Sequence, residues 1–343
     1  MSSWFEFLQS RGARLADTRV ESFGDTAREL AAARDATILC DLSHNALIRA
    51  SGDDAAAFLH GQLTNDVNAL TADSAQWTGW CSAKGRLLAS ILLVRRADHL
   101  LLLLPAEIAA GIQKRLSMYV LRSKVKLENV SESAVRMALA GPKAPTLIAH
   151  RFEQAPGPMQ VAEDKDGALA IGLEFGRFVV VVPTSRAAEY WQEFAANAVE
   201  AGSDAWEWTS IRAGIPTVLA ATQEAFVPQM ANFDLIGAVS FRKGCYPGQE
   251  IVARTQCRGI LKRRMALVHL ADAGNETPAA GESVYSSAFG EQSAGTIANA
   301  APSPGGGYDA LVVAQIEALD RDDLRWKSPQ GPALKVLSRP TSS

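Results

Sequence analysis

The fold is indicated most clearly by the stretch Leu87-Leu-Ala-Ser-Ile-Leu-Leu-Val-Arg-Arg-Ala-Asp-His-Leu-Leu-Leu-Leu-Leu-Pro105. Its two apolar runs, 87–94 and 100–104, flank a short polar connection at Ala97-Asp98-His99. Each run has the length of a β-strand, and the charges between them leave neither run near the roughly 20 apolar residues that a membrane-spanning helix needs. Because strands joined so tightly run in opposite directions, the stretch predicts a β-hairpin.

The sequence on either side of this hairpin continues the pattern. An apolar run over 77–81 predicts a third strand, joined to the hairpin by a tight turn at Lys84-Gly85-Arg86. Before it lie a short helix over 55–60 and a polar loop over 62–68. After the hairpin, apolar side chains recur every three or four residues over 106–120. This spacing predicts an amphipathic helix that packs on the antiparallel sheet.

A second block repeats this pattern more loosely. The predicted elements are strands at 135–140, 168–173 and 177–182, a helical piece at 144–150, and a helix from Thr184 to about Gly202. Together the two blocks predict an α+β fold class, with two lobes that each contain an antiparallel sheet.

The C-terminal part has a different composition. After about Lys262, glycine and proline cluster between short apolar runs, which is typical of a small β-barrel or sandwich. The expected domains are therefore a first lobe over 1–130, a second lobe over 131–260 and a C-terminal barrel over 261–343. A chain of 343 residues with 48% hydrophobic residues is long and apolar enough for two or three such domains.

Charge and motif content exclude several classes of protein. The formal net charge of −3 argues against a dedicated nucleic-acid binder. The N-terminal residues lack the basic and apolar segments of a signal peptide, so the expected location is the cytoplasm. No GxGxxG, phosphate-loop, GxSxG or HExxH motif occurs, and the five histidines are scattered without metal-ligand spacing. None of the histidines is therefore assigned to a site.

The densest chemical signal lies between Ser240 and Cys257. Here Gly244 and Gly248 flank Cys245 in a turn, and Lys243 directly precedes this turn. A cation close to a thiol favours the thiolate, which makes the sulfur a better nucleophile or ligand. The alternative is that Cys245 is a small buried residue in a tight loop.

The other cysteines give no comparable signal. Cys40 and Cys81 end or lie within apolar runs and are expected in the core. Cys257 has no histidine at ligand spacing, so no zinc site or other metal site is predicted.

The segment Lys243-Gly-Cys-Tyr-Pro-Gly-Gln-Glu250 resembles the K-G-C-[FY]-x-G-Q-E signature of the YgfZ-type folate-binding proteins. That family acts in iron–sulfur cluster assembly and repair and is related to the aminomethyltransferase, or T-protein, of the glycine cleavage system. Further matches cover nearly the whole chain: Gly61–Val67, Trp80–Arg86, Tyr119–Val125, Ile211–Pro216, Phe226–Asn232 and Gly259–Arg263.

The resemblance implies a fold and a cofactor. The fold is a cloverleaf of two ferredoxin-like α+β lobes and a C-terminal β-barrel around a central channel, and the cofactor is tetrahydrofolate or a reduced derivative. A carboxylate can pair with the pterin edge and a cation with the glutamate tail, and the resemblance places Glu174 and Arg212 in these roles. Gln229 and Asn232 are expected to supply amide contacts. Arg212 could instead pair with Asp204 or Glu207 on its own helix.

The chain also departs from the T-protein pattern. Ala89 and Ser90 stand where those relatives carry an acidic pair near the folate. Neither side chain can act as a general acid or as a charged partner, so aminomethyl transfer is disfavoured. Asp66 is the nearest acid in sequence, with loop capping as its simpler role.

The resulting hypothesis is an accessory protein of iron–sulfur cluster biogenesis or repair, with a link to tRNA modification. Cys245 acts as nucleophile or transient ligand and Lys243 as its local cation. The loop scaffold consists of Gly244, Tyr246, Gly248, Gln249, Glu250 and Arg254. Two alternatives stay open: a folate-dependent aminomethyltransferase or demethylase, and a folate-binding module without thiol chemistry. The expected partners are a reduced folate and iron–sulfur client or assembly proteins, with no direct nucleic-acid contact and no membrane.

Overall fold

The structure, a computed structural model, describes residues 2–257 and 261–340 of the chain. Its α-helices are α1 (Ser2–Ser10), α2 (Thr26–Asp35), α3 (Ala55–Gln62), α4 (Ala106–Ser117), α5 (Ala144–Phe152), α6 (Ala187–Ala195), α7 (Ser203–Arg212), α8 (Gln249–Cys257) and α9 (Ile316–Arg321). Within the described residues, none of the helices has both the length and the apolar character to cross a membrane.

The strands alternate with these helices along most of the chain. The strands before α4 are β1 (Arg14–Ala16), β2 (Arg19–Ser22), β3 (Ile38–Asp41), β4 (Asn45–Ser51), β5 (Ala75–Cys81), β6 (Leu87–Arg95) and β7 (His99–Pro105). Those between α4 and α7 are β8 (Lys126–Asn129), β9 (Ala134–Ala140), β10 (Val161–Glu163), β11 (Leu169–Leu173), β12 (Arg177–Pro183) and β13 (Val199–Ala201). The last are β14 (Arg263–Leu270), β15 (Ser283–Tyr285), β16 (Gly295–Pro302), β17 (Tyr308–Gln315), β18 (Arg325–Trp326) and β19 (Leu334–Ser338).

The chain divides into two compact units. The first consists of Met1–Ala55, Leu70–Gln76 and Leu92–Thr209. The second consists of Ala56–Ala69, Trp77–Ile91 and Ser210–Ser343. The predicted three-domain boundaries, at about residues 130 and 260, stay a prediction.

In the first unit, a six-stranded sheet has the strand order β10-β11-β12-β9-β3-β13. Its apolar face packs against the helices through a cluster of buried side chains that includes Trp4, Phe152, Tyr190, Trp191 and Phe194. Aromatic residues of this size bury enough apolar surface to dominate the stability of such a core.

The end of α6 differs from the prediction. The sequence predicts a helix from Thr184 to about Gly202, but α6 ends at Ala195 and β13 follows. β13 pairs in parallel with β3, where Val199 lies opposite Ile38. The prediction is wrong here because a partner strand 160 residues away in sequence satisfies the backbone of β13 and overrides its local helix propensity.

The predicted hairpin is confirmed. A five-stranded sheet has the order β5-β6-β7-β4-β8, and β6 pairs antiparallel with β7 from Leu92 opposite Leu103 to Arg95 opposite Leu100. Within the first unit, α4 packs beside β4, β7 and β8 and buries Ile108, Ile112 and Leu116. The α+β class predicted from the alternation of strands and helices is therefore present.

In the second unit, the C-terminal strands form one antiparallel sheet in the order β18-β15-β16-β17-β14-β19. Its core contains Val268, Val312, Trp326 and Leu334, which are almost fully buried. The sheet is curled into half of a barrel, so the predicted small β-barrel is present in this coarser form. The cloverleaf arrangement and the central channel stay predictions.

Candidate functional site

The signature loop, residues 243–248, lies in the second unit and is tied to the residues around α3. Three residues before Lys243, the Ser240 backbone N–H donates to the carbonyl of Thr64 at 3.0 Å. The Lys243 ammonium then donates to the carbonyls of His60 and Leu63, the second at 2.6 Å. Hydrogen bonds from a charged donor contribute about 1.5–3 kcal/mol each, so Lys243 clamps the start of the loop onto the end of α3.

Lys243 is a buried cation with 8% of its surface exposed. Burial lowers its pKa from the ordinary value of 10.5 to about 8, although negative charge on Asp66 and Cys245 acts in the opposite direction. The ammonium also lies 5.0 Å from the ring centre of Tyr246. The side chain is therefore charged at neutral pH and electrostatically coupled to the thiol that follows it.

Cys245 is exposed, whereas Cys40 and Cys81 are buried. Burial raises the pKa of the Cys40 thiol far above its usual range and that of Cys81 to about 12, so these two thiols stay protonated and unreactive. The alternative that Cys245 is itself buried in a tight loop does not hold. The side chain of Cys257 lies outside the described residues, so the interpretation of that cysteine stays a prediction.

The end of the loop packs tightly on the turn between β5 and β6. Gly248 has a φ of +79°, and a Cβ at this position would lie 2.4 Å from the Ser82 carbonyl oxygen and 2.5 Å from the Gly85 Cα. Gly85 in turn has a φ of +68° and approaches the side chain of Ile251. Both conformations and both contacts require residues without a Cβ.

The helix after the loop begins at Gln249. Its backbone N–H donates to the carbonyl of Tyr246 at 3.1 Å, and its side-chain amide donates to the carbonyl of Gly244 at 3.4 Å. Glu250 and Arg254 form an exposed ion pair at 2.5 Å, four residues apart on α8. Such a pair contributes about 0.3–0.5 kcal/mol to the helix. These contacts fit the scaffold role that the sequence predicts.

Tyr246 is buried beneath Lys243, with 6% of its surface exposed. Burial raises the pKa of its phenol, and the nearby Cys81 adds to this shift. The Tyr246 ring therefore supports the loop as a neutral, largely apolar group.

Arg212 lies at the end of α7 and its side chain is 44% exposed. Its guanidinium lies 3.8 Å from the buried carboxylate of Asp309. The carboxylates of Asp204 and Glu207 are instead paired with Arg19 in the first unit. The alternative in which Arg212 pairs with Asp204 or Glu207 stays open, and a half-exposed cation stands at this position.

Gln229 and Asn232 lie in and directly after the short 3-10 turn Pro228–Ala231, and both residues are buried. The Gln229 amide donates to the carbonyl of Val252 at 2.7 Å, and the Asn232 amide donates to the carbonyl of Met265 at 2.9 Å. Both side chains therefore hold the backbone. The Gln229 Oε1 atom is buried without a hydrogen-bond partner in the described part of the chain, so it remains available as an acceptor.

Glu174 lies in the first unit, in an exposed turn over Glu174–Gly176. Its backbone carbonyl accepts a hydrogen bond from Arg177 at 3.3 Å. The other candidate residues lie in the second unit. The assignment of Glu174 to a folate site stays a prediction.

Ala89 and Ser90, where the resemblance places an acidic pair in the T-protein, are buried and neutral. Ala89 is fully buried, and Ser90 accepts a hydrogen bond from the Val218 backbone N–H at 2.9 Å. Asp66 accepts from the Asn68 backbone N–H at 3.0 Å, which is the loop-capping role that the sequence indicates.

His60 contacts the signature loop, although the sequence gives no signal for this contact. Its Nδ1 atom lies 3.2 Å from a carboxylate oxygen of Asp66, and its own carbonyl accepts from Lys243. Its Nε2 atom lies 3.9 Å from the position that a Cβ on Gly244 would occupy. His60 is 183 residues from Lys243 in sequence, so no local spacing could have revealed the contact.

Over residues 2–257 and 261–340, no group of His, Cys, Asp or Glu is arranged to hold a metal ion.

We expect the substitution Lys243→Met to change how stability depends on pH. Between pH 8 and 10.5 the unfolded chain binds a proton at Lys243 that the folded chain has largely lost, so this group makes stability rise with pH across that window. The free energy of unfolding of the parent minus that of Lys243→Met should therefore increase from pH 8 to pH 10.5. Urea unfolding at a series of pH values measures this difference, and a difference that is constant across the window would contradict it.

The chain is similar to several known proteins. The model of the GCVT N-terminal domain matches residues 1–160. The tRNA-modifying protein YgfZ of Yersinia pestis (strain Pestoides F) is 34% identical over 246 residues, which is 71% of this chain and 74% of that protein. The protein of the same name from Yersinia enterocolitica serotype O:8 is 32% identical over the same length.

Among solved structures, the glycine cleavage system aminomethyltransferase T from Bartonella henselae matches with a TM-score of 0.80 and 18% identity. The match covers 98% of this chain and 96% of that protein, so the two share a fold. The identity and coverage of the Yersinia proteins establish the closer relationship, and the chain belongs to the family of the tRNA-modifying protein YgfZ.

Proposed function

We propose that this protein binds tetrahydrofolate and assists iron–sulfur cluster biogenesis or repair, and through it tRNA modification, by means of the Cys245 thiol. The observation that carries the proposal is the exposure of Cys245 in the signature loop, two residues after the buried cation Lys243. The name of the Yersinia relatives, tRNA-modifying protein, supports the tRNA link. The partners would be a reduced folate and iron–sulfur client or assembly proteins, and the expected location is the cytoplasm.

In this proposal Cys245 is the reacting group. As a thiolate it would serve as a nucleophile or as a transient ligand of sulfur or of a cluster in transfer. Lys243 would stabilise the thiolate, since it remains charged up to a pH of about 8 and is held in place by two carbonyls. Its hydrogen bonds to the backbone carbonyls of His60 and Leu63 also hold the ammonium in place.

The second unit contains groups that fit a folate. Arg212 offers an exposed guanidinium for a carboxylate of the glutamate tail, and the Oε1 atom of Gln229 is a buried acceptor without a partner in the described chain. The GCVT domain match over residues 1–160 supports a folate-related role. When bound, a reduced folate would supply a carrier for one-carbon groups or act as an effector.

Aminomethyl transfer is the weaker candidate. Ala89 and Ser90 provide no carboxylate, and the Ser90 hydroxyl is engaged with the Val218 backbone. Asp66 caps the backbone at Asn68 and contacts His60. A carboxylate within reach of folate N5 in a complex would revive this alternative, and an unreactive Cys245 would favour a folate-binding module without thiol chemistry.

The folate part is tested by calorimetric titration with tetrahydrofolate. We expect the parent protein to bind, and Arg212→Ala to bind at least about tenfold more weakly, because a charged hydrogen bond to a carboxylate contributes about 1.5–3 kcal/mol. The matched control is Arg321→Ala, which removes an arginine that is 53% exposed and pairs with Glu317.

The control variant should bind like the parent. Absence of heat with the parent protein would remove folate from the proposal. Equal affinities of Arg212→Ala and the parent would remove Arg212 from the site while leaving folate binding in place.

A further inference from the structure

The end of α4 and the segment that follows it expose an unusual amount of apolar surface. Met118 is 62% exposed, Tyr119 50% and Leu121 88%, and all three lie within four consecutive residues of the first unit. Single exposed apolar side chains are common on soluble proteins, but a contiguous group of this kind marks an interaction site.

The same segment is rich in positive charge. No Asp or Glu occurs between Glu107 and Glu128, whereas this interval contains five cations, all exposed: Lys114, Arg115, Arg122, Lys124 and Lys126. Lys124 pairs with Asp53 at 3.1 Å and Lys126 with Glu128 at 2.7 Å. Exposed ion pairs of this kind contribute little to the stability of the fold, so both lysines can exchange these carboxylates for those of a binding partner. Within residues 2–257 and 261–340, Lys114 and Arg122 form no ion pair. We refer to residues 114–126 as the apolar–basic patch.

The patch is held in shape by its backbone. Three successive N–H groups, of Met118, Tyr119 and Val120, donate to carbonyls three residues earlier, and the Lys124 N–H donates to the Asp54 carboxylate at 2.7 Å. The exposed side chains are therefore presented by an ordered segment, which lowers the entropic cost of ordering the segment when a partner binds.

Leu121 combines two unfavourable features in the isolated chain. Its φ is +47°, a left-handed conformation that costs a residue with a Cβ about 1 kcal/mol or more. The residue gains no compensating burial, because 88% of its surface is exposed to solvent. A glycine or asparagine would adopt this conformation at lower cost, and a partner that covers the leucine would offset that cost by burying its side chain.

We propose that the apolar–basic patch is a docking surface for a separate protein whose complementary surface has an apolar hollow edged by aspartate and glutamate. Leu121, Met118 and Tyr119 would fill the hollow, and Lys114 and Arg122 would pair with the acidic edge. This arrangement of an apolar centre with a charged rim is the usual anatomy of a protein–protein contact.

The apolar centre decides between a protein and a nucleic acid as partner. A phosphate backbone would pair with the cations, but it would leave Leu121 and Met118 in water, whereas an apolar hollow removes them from it. The net charge of −3 on the whole chain also opposes a partner recognised by phosphate neutralisation alone. This docking surface is independent of the proposed chemistry at Cys245.

The test uses the full chain with the photo-crosslinker p-benzoylphenylalanine in place of Ser123, an exposed residue of the patch. The control carries the same crosslinker in place of Ser338, an exposed residue at the end of β19. After irradiation in cells, we expect a discrete nuclease-resistant adduct with one acidic protein from position 123 and not from position 338. The adduct should be lost when Arg122→Glu is introduced beside the crosslinker.

The captured protein is then purified and titrated against full-length variants. We expect Leu121→Gly to weaken binding at least about tenfold while its melting temperature equals or exceeds that of the parent, because glycine relieves the left-handed strain. Leu337→Ser, which removes another exposed leucine, should bind like the parent. The proposal is overturned by a nuclease-sensitive adduct, by an adduct between two copies of this chain, by identical products from positions 123 and 338, or by unchanged affinity of Leu121→Gly.

Discussion

Replacing Cys245 with serine should abolish the ability of this protein to restore cluster-dependent enzyme activity in a strain that lacks it. The substitution removes one exposed sulfur and keeps nearly the same size and shape in an open loop. A hydroxyl at this position stays protonated near neutral pH and is a poor ligand for iron or sulfur, so the chemistry is lost while the contacts of the loop remain. The measurement is the activity of a cluster-dependent enzyme in extracts, which should fall to the level of the empty-vector strain.

The controls separate a chemical effect from a structural one. Ser240→Ala alters a half-buried side chain at the entrance of the same loop and should restore activity like the parent. Cys245→Ser itself should keep the melting temperature and the tetrahydrofolate affinity of the parent. Full restoration of activity by Cys245→Ser would refute the thiol role and leave the folate-binding module as the better description of this protein.

The combination of this variant with the Arg212 titration distinguishes the two halves of the proposal. The two residues lie on different elements of the second unit, one in the signature loop and one at the end of α7. If folate binds at Arg212 and the thiol acts at Cys245, each substitution should remove one property and leave the other. Loss of both properties in either variant would indicate a local structural change instead.

The local elements of the fold could be predicted from sequence. The hairpin formed by β6 and β7, the helix α4 and the strands of the C-terminal sheet all follow from apolar periodicity and turn residues within a short window. β13 could not be predicted in this way, because its three residues become a strand only through pairing with β3. Long-range pairing of this kind leaves no periodic signal in so short a segment.

The candidate site could also be predicted from the sequence only in part. Gly244 and Gly248, which flank Cys245, and the cation Lys243 all lie within six consecutive residues. They could therefore be identified from the sequence without a structure. The contacts of Lys243 with the carbonyls of His60 and Leu63 join parts of the chain about 180 residues apart. Such contacts depend on how the backbone folds, and a carbonyl acceptor gives no sequence signal because every residue has one.

The two glycines around Cys245 also look equivalent in sequence but differ in the structure. A Cβ on Gly244 would find its nearest neighbour at 3.9 Å, in the ring of His60. A Cβ on Gly248 would lie between 2.4 and 2.6 Å from the backbone of Ser82 and Gly85. The sequence therefore identifies the turn, but only the structure shows which glycine is indispensable and what it packs against.

We expect Gly248→Ala to destabilise the second unit by about 2–4 kcal/mol, as the sum of a left-handed backbone and an overpacked contact. The atoms in its way belong to the backbone of the β5–β6 turn and cannot rotate aside, and φ is +79°. The matched control is Gly237→Ala, with a φ of +69° and no atom within 4 Å of the added Cβ, which should cost only about 1 kcal/mol. Urea unfolding of the three proteins, followed by a probe of the second unit, measures the difference. Equal losses in both variants would show that the loop does not depend on this close approach, and the turn beneath Cys245 would then lose its role in positioning the thiol.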